Sequence, residues 1–320
     1  MRHVIDPILE PAAGPRKGAL RVAEVALLVA LATLTAIAWL HPDEVPLSAR
    51  NSFITVGILF AIAALALGAE PNGWRYWARE LLPIPVVPFI YLSLGRLVPV
   101  VNQRIYDQHL LALDRALLGV EAQDALYALH LPWWLADLLT FAYSTFFFLA
   151  IVLLVVLASR RDPCLPQVVA AVVLTFLVSF AGYFLVPAYG PRTTVAQERY
   201  ASLPPGVVGE PIRDLLDHWE KTKTDAFPSG HTMVTLAVLY CARRRLRPLY
   251  NTLLPIGALL IAATILLTYH YVVDVLAALP LVALSVAAAA LLAGPVPRRP
   301  RERRADDGKT RASDVPTRAV

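Results

Sequence analysis

Eight apolar runs dominate this chain, at residues 20–40, 52–69, 81–101, 134–159, 165–188, 229–247, 250–269 and 271–294. A hydrocarbon core about 30 Å thick is crossed by roughly 20 helical residues. Most of the runs reach that length. The chain is therefore predicted to be an all-α, polytopic membrane helix bundle with about eight transmembrane helices. Composition agrees, with 57% of the 320 residues hydrophobic and 17% charged, against about 45–50% and about 25% in soluble domains. These values argue against a soluble enzyme, a disordered scaffold or a disulfide-stapled mini-domain. Cys164 and Cys241 are the only cysteines. The net charge of +5 is modest, and the arginines fall in short clusters between apolar runs, so no nucleic-acid partner is expected.

Two runs are irregular. Pro83, Pro85, Pro88 and Arg96 interrupt the third, which predicts a kink and an arginine that snorkels to the interface. The sixth is apolar only as far as Ala242 and is short. The first run is too long for a signal-peptide core and is expected to be retained. The segment after Pro295 is rich in Pro, Arg and Asp and is expected to be disordered. The expected organisation is residues 1–75 as an N-terminal tail with two accessory helices, 76–294 as a six-helix core, and 295–320 as a basic cytoplasmic tail.

Lys and Arg set orientation in multi-pass proteins. With the N-terminus in the cytoplasm and eight alternating helices, nineteen basic residues fall on inner segments and eight on outer ones. Both termini are therefore expected inside, in the plasma membrane.

Three groups of chemically capable residues then fall at the outer face. They are Tyr189-Gly190-Pro191-Arg192, Phe227-Pro228-Ser229-Gly230-His231, and His270-Tyr271-Val272-Val273-Asp274. Residue type, not topology, picks them out. His270 and Asp274 are four apart, within side-chain reach on one helix face. A carboxylate on one imidazole nitrogen leaves the other free to attack. A purely structural pair at a helix end has the same spacing. Ser229 is a good N-cap, and Gly230 lets a ligand approach the backbone at a helix start that favours anions. An ordinary capped helix with an interfacial His231 reads the same way. Arg192 offers a planar fork suited to phosphate, although a solitary loop arginine is more often solvated.

Pro228-Ser229-Gly230-His231 followed by His270-x3-Asp274 resembles the type 2 phosphatidic acid phosphatase superfamily, from about the third helix to the eighth. The resemblance implies a six-helix core with its site at one membrane face, no metal and no cofactor. It implies His270 as a nucleophile that takes a phosphoryl group, Asp274 as its orienting partner and His231 as the proton donor to the leaving alcohol. Ser229, Gly230 and Arg192 would hold phosphate oxygens. The chain departs from the family pattern at two positions. Leu185 and Thr264 stand where the family has a lysine and an arginine, and Pro191 precedes Arg192 rather than following it. Those departures resemble the branch that includes fungal inositol phosphorylceramide synthase, as does Asp114-Arg115-Ala116-Leu117-Leu118-Gly119. The start of an amphipathic surface helix explains that stretch equally well.

Asp114, Arg115, Lys223, Lys221 and Arg104 are candidates to complete a substrate site. The expected function is a lipid phosphatase or head-group phosphotransferase, with a membrane lipid phosphate as substrate and an alcohol or lipid as acceptor. The alternative within this class is a phosphatase of lipid phosphates or polyprenyl (pyro)phosphates. A transporter would place ionisable groups at mid-membrane, and the central thirds of these helices carry almost none. A silent lipid-binding protein would not need His231, His270 and Asp274.

Overall fold

The computed structural model describes residues 20–68, 72–219 and 222–296. The readings made above for the chain's two termini and for Lys221 lie outside those residues. Among the described residues there are fourteen α-helices and no β-strand. They are α1 (Val22–Leu40), α2 (Leu47–Leu67), α3 (Gly73–Leu81), α4 (Pro83–Val101), α5 (Asp107–Leu118), α6 (Val120–Ala128), α7 (Trp133–Ser144), α8 (Phe146–Ser159), α9 (Leu165–Leu185), α10 (Gln197–Ala201), α11 (Gly209–Trp219), α12 (Gly230–Arg245), α13 (Arg247–Leu266) and α14 (Val272–Ala293). The chain is a multi-pass helical membrane protein. Six helical runs are long and apolar enough to span, and the bent α7–α8 pair makes a seventh. Helix α12 runs among them and has 16 residues, or about 24 Å at 1.5 Å per residue. It is the short sixth segment of the sequence.

The third span is longer than its apolar run suggests. It starts at Gly73 and breaks at Leu82, where Pro83 opens α4 without an N–H to donate. The fourth bends by 49° between Ser144 and Phe146. No proline causes this. Instead, the Ser144 and Thr145 hydroxyls donate to the Phe141 and Ala142 carbonyls at 2.8 and 2.6 Å, competing with the helix ladder.

Helix α9 runs through the middle of the bundle, packed by α14, α12, α1 and α4. Buried Leu, Val and Ala side chains of these helices form one continuous core. At the end opposite the histidines, buried ion pairs fix the register. Arg79 donates two hydrogen bonds to the Glu24 carboxylate, each 2.9 Å. Arg21 pairs with Glu80 at 2.7 Å, and Arg245 grips Asp162 at 2.8 Å. Removing one partner of such a buried pair costs far more than the pair contributes net. The first two pairs lock the accessory α1 onto α3.

Candidate active site

At the other end, the C-termini of α9 and α13 meet the N-termini of α12 and α14. Ser229 caps α12 and accepts from the Thr232 N–H at 3.3 Å. Its own N–H donates to the Asp274 carbonyl at 3.2 Å, tying α12 to α14. Gly230 answers to packing, because a Cβ there would sit 2.4 Å from the Tyr183 hydroxyl. The space that the sequence reserved for a ligand is thus taken by a tyrosine.

His270 sits just before α14, buried at 5% exposure. Its Nδ1 lies 2.7 Å from the Ala226 carbonyl and 3.4 Å from Asp274 Oδ2. A carbonyl only accepts, so Nδ1 carries the proton and Nε2 keeps its lone pair. The spacing pointed to Asp274 as the orienting group, yet the Ala226 carbonyl is the nearer partner. Asp274 also receives the Tyr271 N–H at 2.8 Å, which caps α14. His270 Nε2 then faces His231 Nδ1 at 3.4 Å.

The bend between α7 and α8 holds His231 in place. Tyr143, before the bend, stacks on its ring at 4.4 Å, and Phe146, after it, lies at 4.2 Å. Neither aromatic stands out in an apolar run. Arg192 lies in the 3-10 turn Pro191–Thr193, and its N–H donates to the Thr268 carbonyl at 2.8 Å. Its guanidinium lies over the Tyr269 ring at 4.4 Å, a cation–π contact. Gly190 enters this turn at φ +86°, and a Cβ would strike the Tyr269 carbonyl at 2.4 Å, so only glycine fits.

Four aspartates frame this end. Asp107 accepts from the N–H groups of Tyr189 and Gly190 and from the Tyr271 hydroxyl, each at 2.9 Å. One carboxylate thereby joins the first and third groups. Asp114 accepts from the Val272 and Val273 N–H groups at 2.9 and 2.7 Å. It is a cap for α14 rather than a group at the cleft. Asp137 holds the turn into α11 through the N–H groups of Val207, Val208 and Gly209. Asp225 lines the cleft itself, with Arg192, His231, His270, Tyr143, Tyr189, Tyr269 and Ala226. The Tyr91 hydroxyl donates to it at 2.6 Å.

The other candidates stand apart from that cleft. Arg115 turns to the Gln123 side chain at 3.1 Å. Lys223 is exposed and does not line the cleft. Arg104 is exposed as well. Leu185, at the missing lysine's position, faces outward at 71% exposure. Thr264, at the missing arginine's position, is buried in α13 and accepts the His270 N–H through its carbonyl.

Burial raises the Asp225 carboxyl above the usual range, against the pull of the Tyr91 hydrogen bond and the charges of Arg192 and His270. Burial likewise raises Asp114, opposed by its two backbone donors. The Tyr271 hydroxyl is pushed upward by burial. Among the described residues, no group of three or more His, Cys, Asp or Glu could hold a metal ion. The cleft therefore offers two imidazoles in contact, one arginine and one carboxylate, a set able to move protons and hold an oxyanion.

A family model described as the PAP2 superfamily matches residues 108–288. A PA-phosphatase related-family protein of Dictyostelium discoideum is 32% identical over 123 residues, 37% of this chain. The matched part spans 22% of that relative. No solved structure matches the chain. The family match covers more than half of the 320 residues and includes both histidines, Arg192 and the bend that holds His231. The chain belongs to the PAP2 superfamily.

Proposed function

We propose that this chain is a lipid phosphatase or head-group phosphotransferase working through a phosphohistidine at His270. One observation carries the lipid part of this reading. An apolar groove with a cavity volume of about 130 Å³, lined by Pro83, Val87, Tyr91, Phe146, Phe176 and Phe180 among others, runs between α4, α8 and α9. Two of its residues touch the cleft. Tyr91 bonds Asp225, and Phe146 lies on His231. A soluble phosphate ester has no use for this wall, whereas a hydrocarbon tail fits it.

In this mechanism the His270 Nε2 lone pair attacks phosphorus and forms a P–N bond. The P–O bond to the leaving alcohol breaks, and protonated His231 gives that oxygen its proton. Water or an acceptor alcohol then attacks phosphorus and returns its proton to His231, and the P–N bond breaks. Ala226 and Asp274 hold the Nδ1 proton of His270 throughout. Arg192 neutralises phosphate oxygens, and the Gly230 and His231 N–H groups at the start of α12 add to that. No step requires a metal.

Transfer is the preferred outcome. One arginine lines the cleft and burial favours the neutral form of Asp225, a balance that suits the single charge of a phosphodiester better than the two of a monoester. The relative's description as a PA-phosphatase related-family protein supports hydrolysis as the second reading. The basic-residue count supports a cleft at the extracytoplasmic face of the plasma membrane, with both termini inside.

The test uses purified protein in detergent with EDTA, phosphate-labelled lipids, inositol or glycerol-lipid acceptors, and a His270→Ala control. Label in a new lipid supports transfer, and free phosphate supports hydrolysis. Equal signal from the control overturns both.

A further inference from the structure

Most charged side chains near the membrane-spanning helices of this chain have partners. Arg21, Glu24, Arg79 and Glu80 pair with one another, as do Asp162 and Arg245. Arg96 is different. It lies in α4, is exposed, and makes no ion pair or hydrogen bond among the described residues. It stands five residues before the last residue of α4, Val101, or about 7.5 Å along the helix. That end is level with the cleft, since the Asn102 side-chain amide donates to the Phe184 carbonyl at the end of α9, 3.0 Å away. At this depth the guanidinium can snorkel to the head-group level, where lipid phosphates lie.

Arg96 lines a groove of about 630 Å³ between α2 and α4. The groove is amphipathic. Ser48, Ser52 and Ser93 stand with Arg96, while Phe53 and Phe89 form an apolar wall, their rings in edge contact at 5.7 Å. The Ser52 and Ser93 hydroxyls donate to the Ala49 and Phe89 carbonyls at 2.7 and 2.8 Å. Each therefore offers a ligand only oxygen lone pairs. The groove thus presents one fixed positive charge, hydroxyl oxygens that accept, and an apolar wall. Helix α2 lies outside the family match at residues 108–288, so this groove is not part of the matched domain.

We propose that the α2–α4 groove binds an anionic phospholipid of the surrounding bilayer, with its phosphate on Arg96 and a head-group hydroxyl on the serines. The acyl chains run along Phe89 and the exposed Leu92 of α4. Free phosphate would use Arg96 alone and leave the wall uncovered. This site is separate from the histidine cleft, and its existence does not depend on the reaction proposed there.

The test is native mass spectrometry of the full chain released from micelles doped with phosphatidylglycerol or phosphatidylcholine, with inorganic phosphate as a third arm. Wild type is expected to retain one phosphatidylglycerol more than Arg96→Gln, and to prefer it over phosphatidylcholine by at least about fivefold. Arg96→Lys keeps the charge and retains most of that preference. Ser52→Leu leaves Arg96 in place but fills the groove, and is expected to lose the lipid, so the result does not depend on the folding of one variant. Equal retention by wild type and Arg96→Gln overturns the proposal. So does equal binding of the two lipids, saturation by inorganic phosphate alone, or a groove covered by a second copy of the chain and seen as a lipid-free dimer.

Discussion

His231 Nδ1 lies 3.4 Å from His270 Nε2, although 39 residues separate the two in the chain. The bend between Ser144 and Phe146 makes this possible. It brings Tyr143 and Phe146 onto His231 from two successive helices.

Replacing Tyr143 should therefore loosen His231 without removing it. For Tyr143→Leu we expect kcat to fall by about 10- to 100-fold, the range a misplacement near 1 Å produces. Steady-state kinetics on a labelled lipid phosphate measure this. An unchanged kcat would show that the ring contact does not position His231.

Asp107 is the strongest stability determinant at this end of the bundle. Asp107→Ala orphans two backbone N–H groups and the Tyr271 hydroxyl. The expected cost is about 2–4 kcal/mol, seen as a clear fall in melting temperature in detergent. A shift within error would mean that water replaces the carboxylate.

The raised Asp225 carboxyl gives a pH signature. A folded-state pKa above the unfolded value means that the folded chain holds the proton more tightly. The resulting stability is fully present below the unfolded pKa and is lost as pH rises through the folded one. Asp225→Asn does not ionise and lacks that slope. Its melting temperature relative to wild type should rise as pH increases above the ordinary carboxylate range. A difference that stays constant with pH would contradict the raised value.

The groove beside the cleft predicts chain-length selectivity. Ala150 lines it, and Ala150→Phe would fill part of it. We expect kcat/KM on long-chain lipid phosphates to fall at least about tenfold, and on short-chain analogues less than about twofold. A parallel loss on both would separate the groove from the substrate.

Much of the bundle was legible because apolar length is a strong local signal. The runs from 20–40 and 271–294 correspond closely to α1 and α14. The 81–101 run missed α3, whose Arg75, Arg79 and Glu80 look like a polar loop until Glu24 and Arg21 pair with two of them. His231, His270 and Arg192 share a cleft as their motifs suggested. Asp225 was invisible because it sits in a loop of mixed charges, where a carboxylate reads as solvated. Asp107 was invisible because its partner Tyr271 lies 164 residues away, and no local spacing reports such a contact. Asp114 did stand out in the sequence, but its work is to hold the start of α14 in place.

The central claim is a covalent phosphorus–nitrogen bond at His270. The direct measurement is acid-free quenching of purified protein during turnover of a phosphate-labelled lipid, followed by peptide mass spectrometry. A phosphohistidine mechanism gives an acid-labile, base-stable phosphoryl group on His270, lost in His270→Ala and accumulating in His231→Ala when the leaving group is a phenol that needs no proton. Turnover by wild type with no label on His270, or with label on another residue, would contradict it.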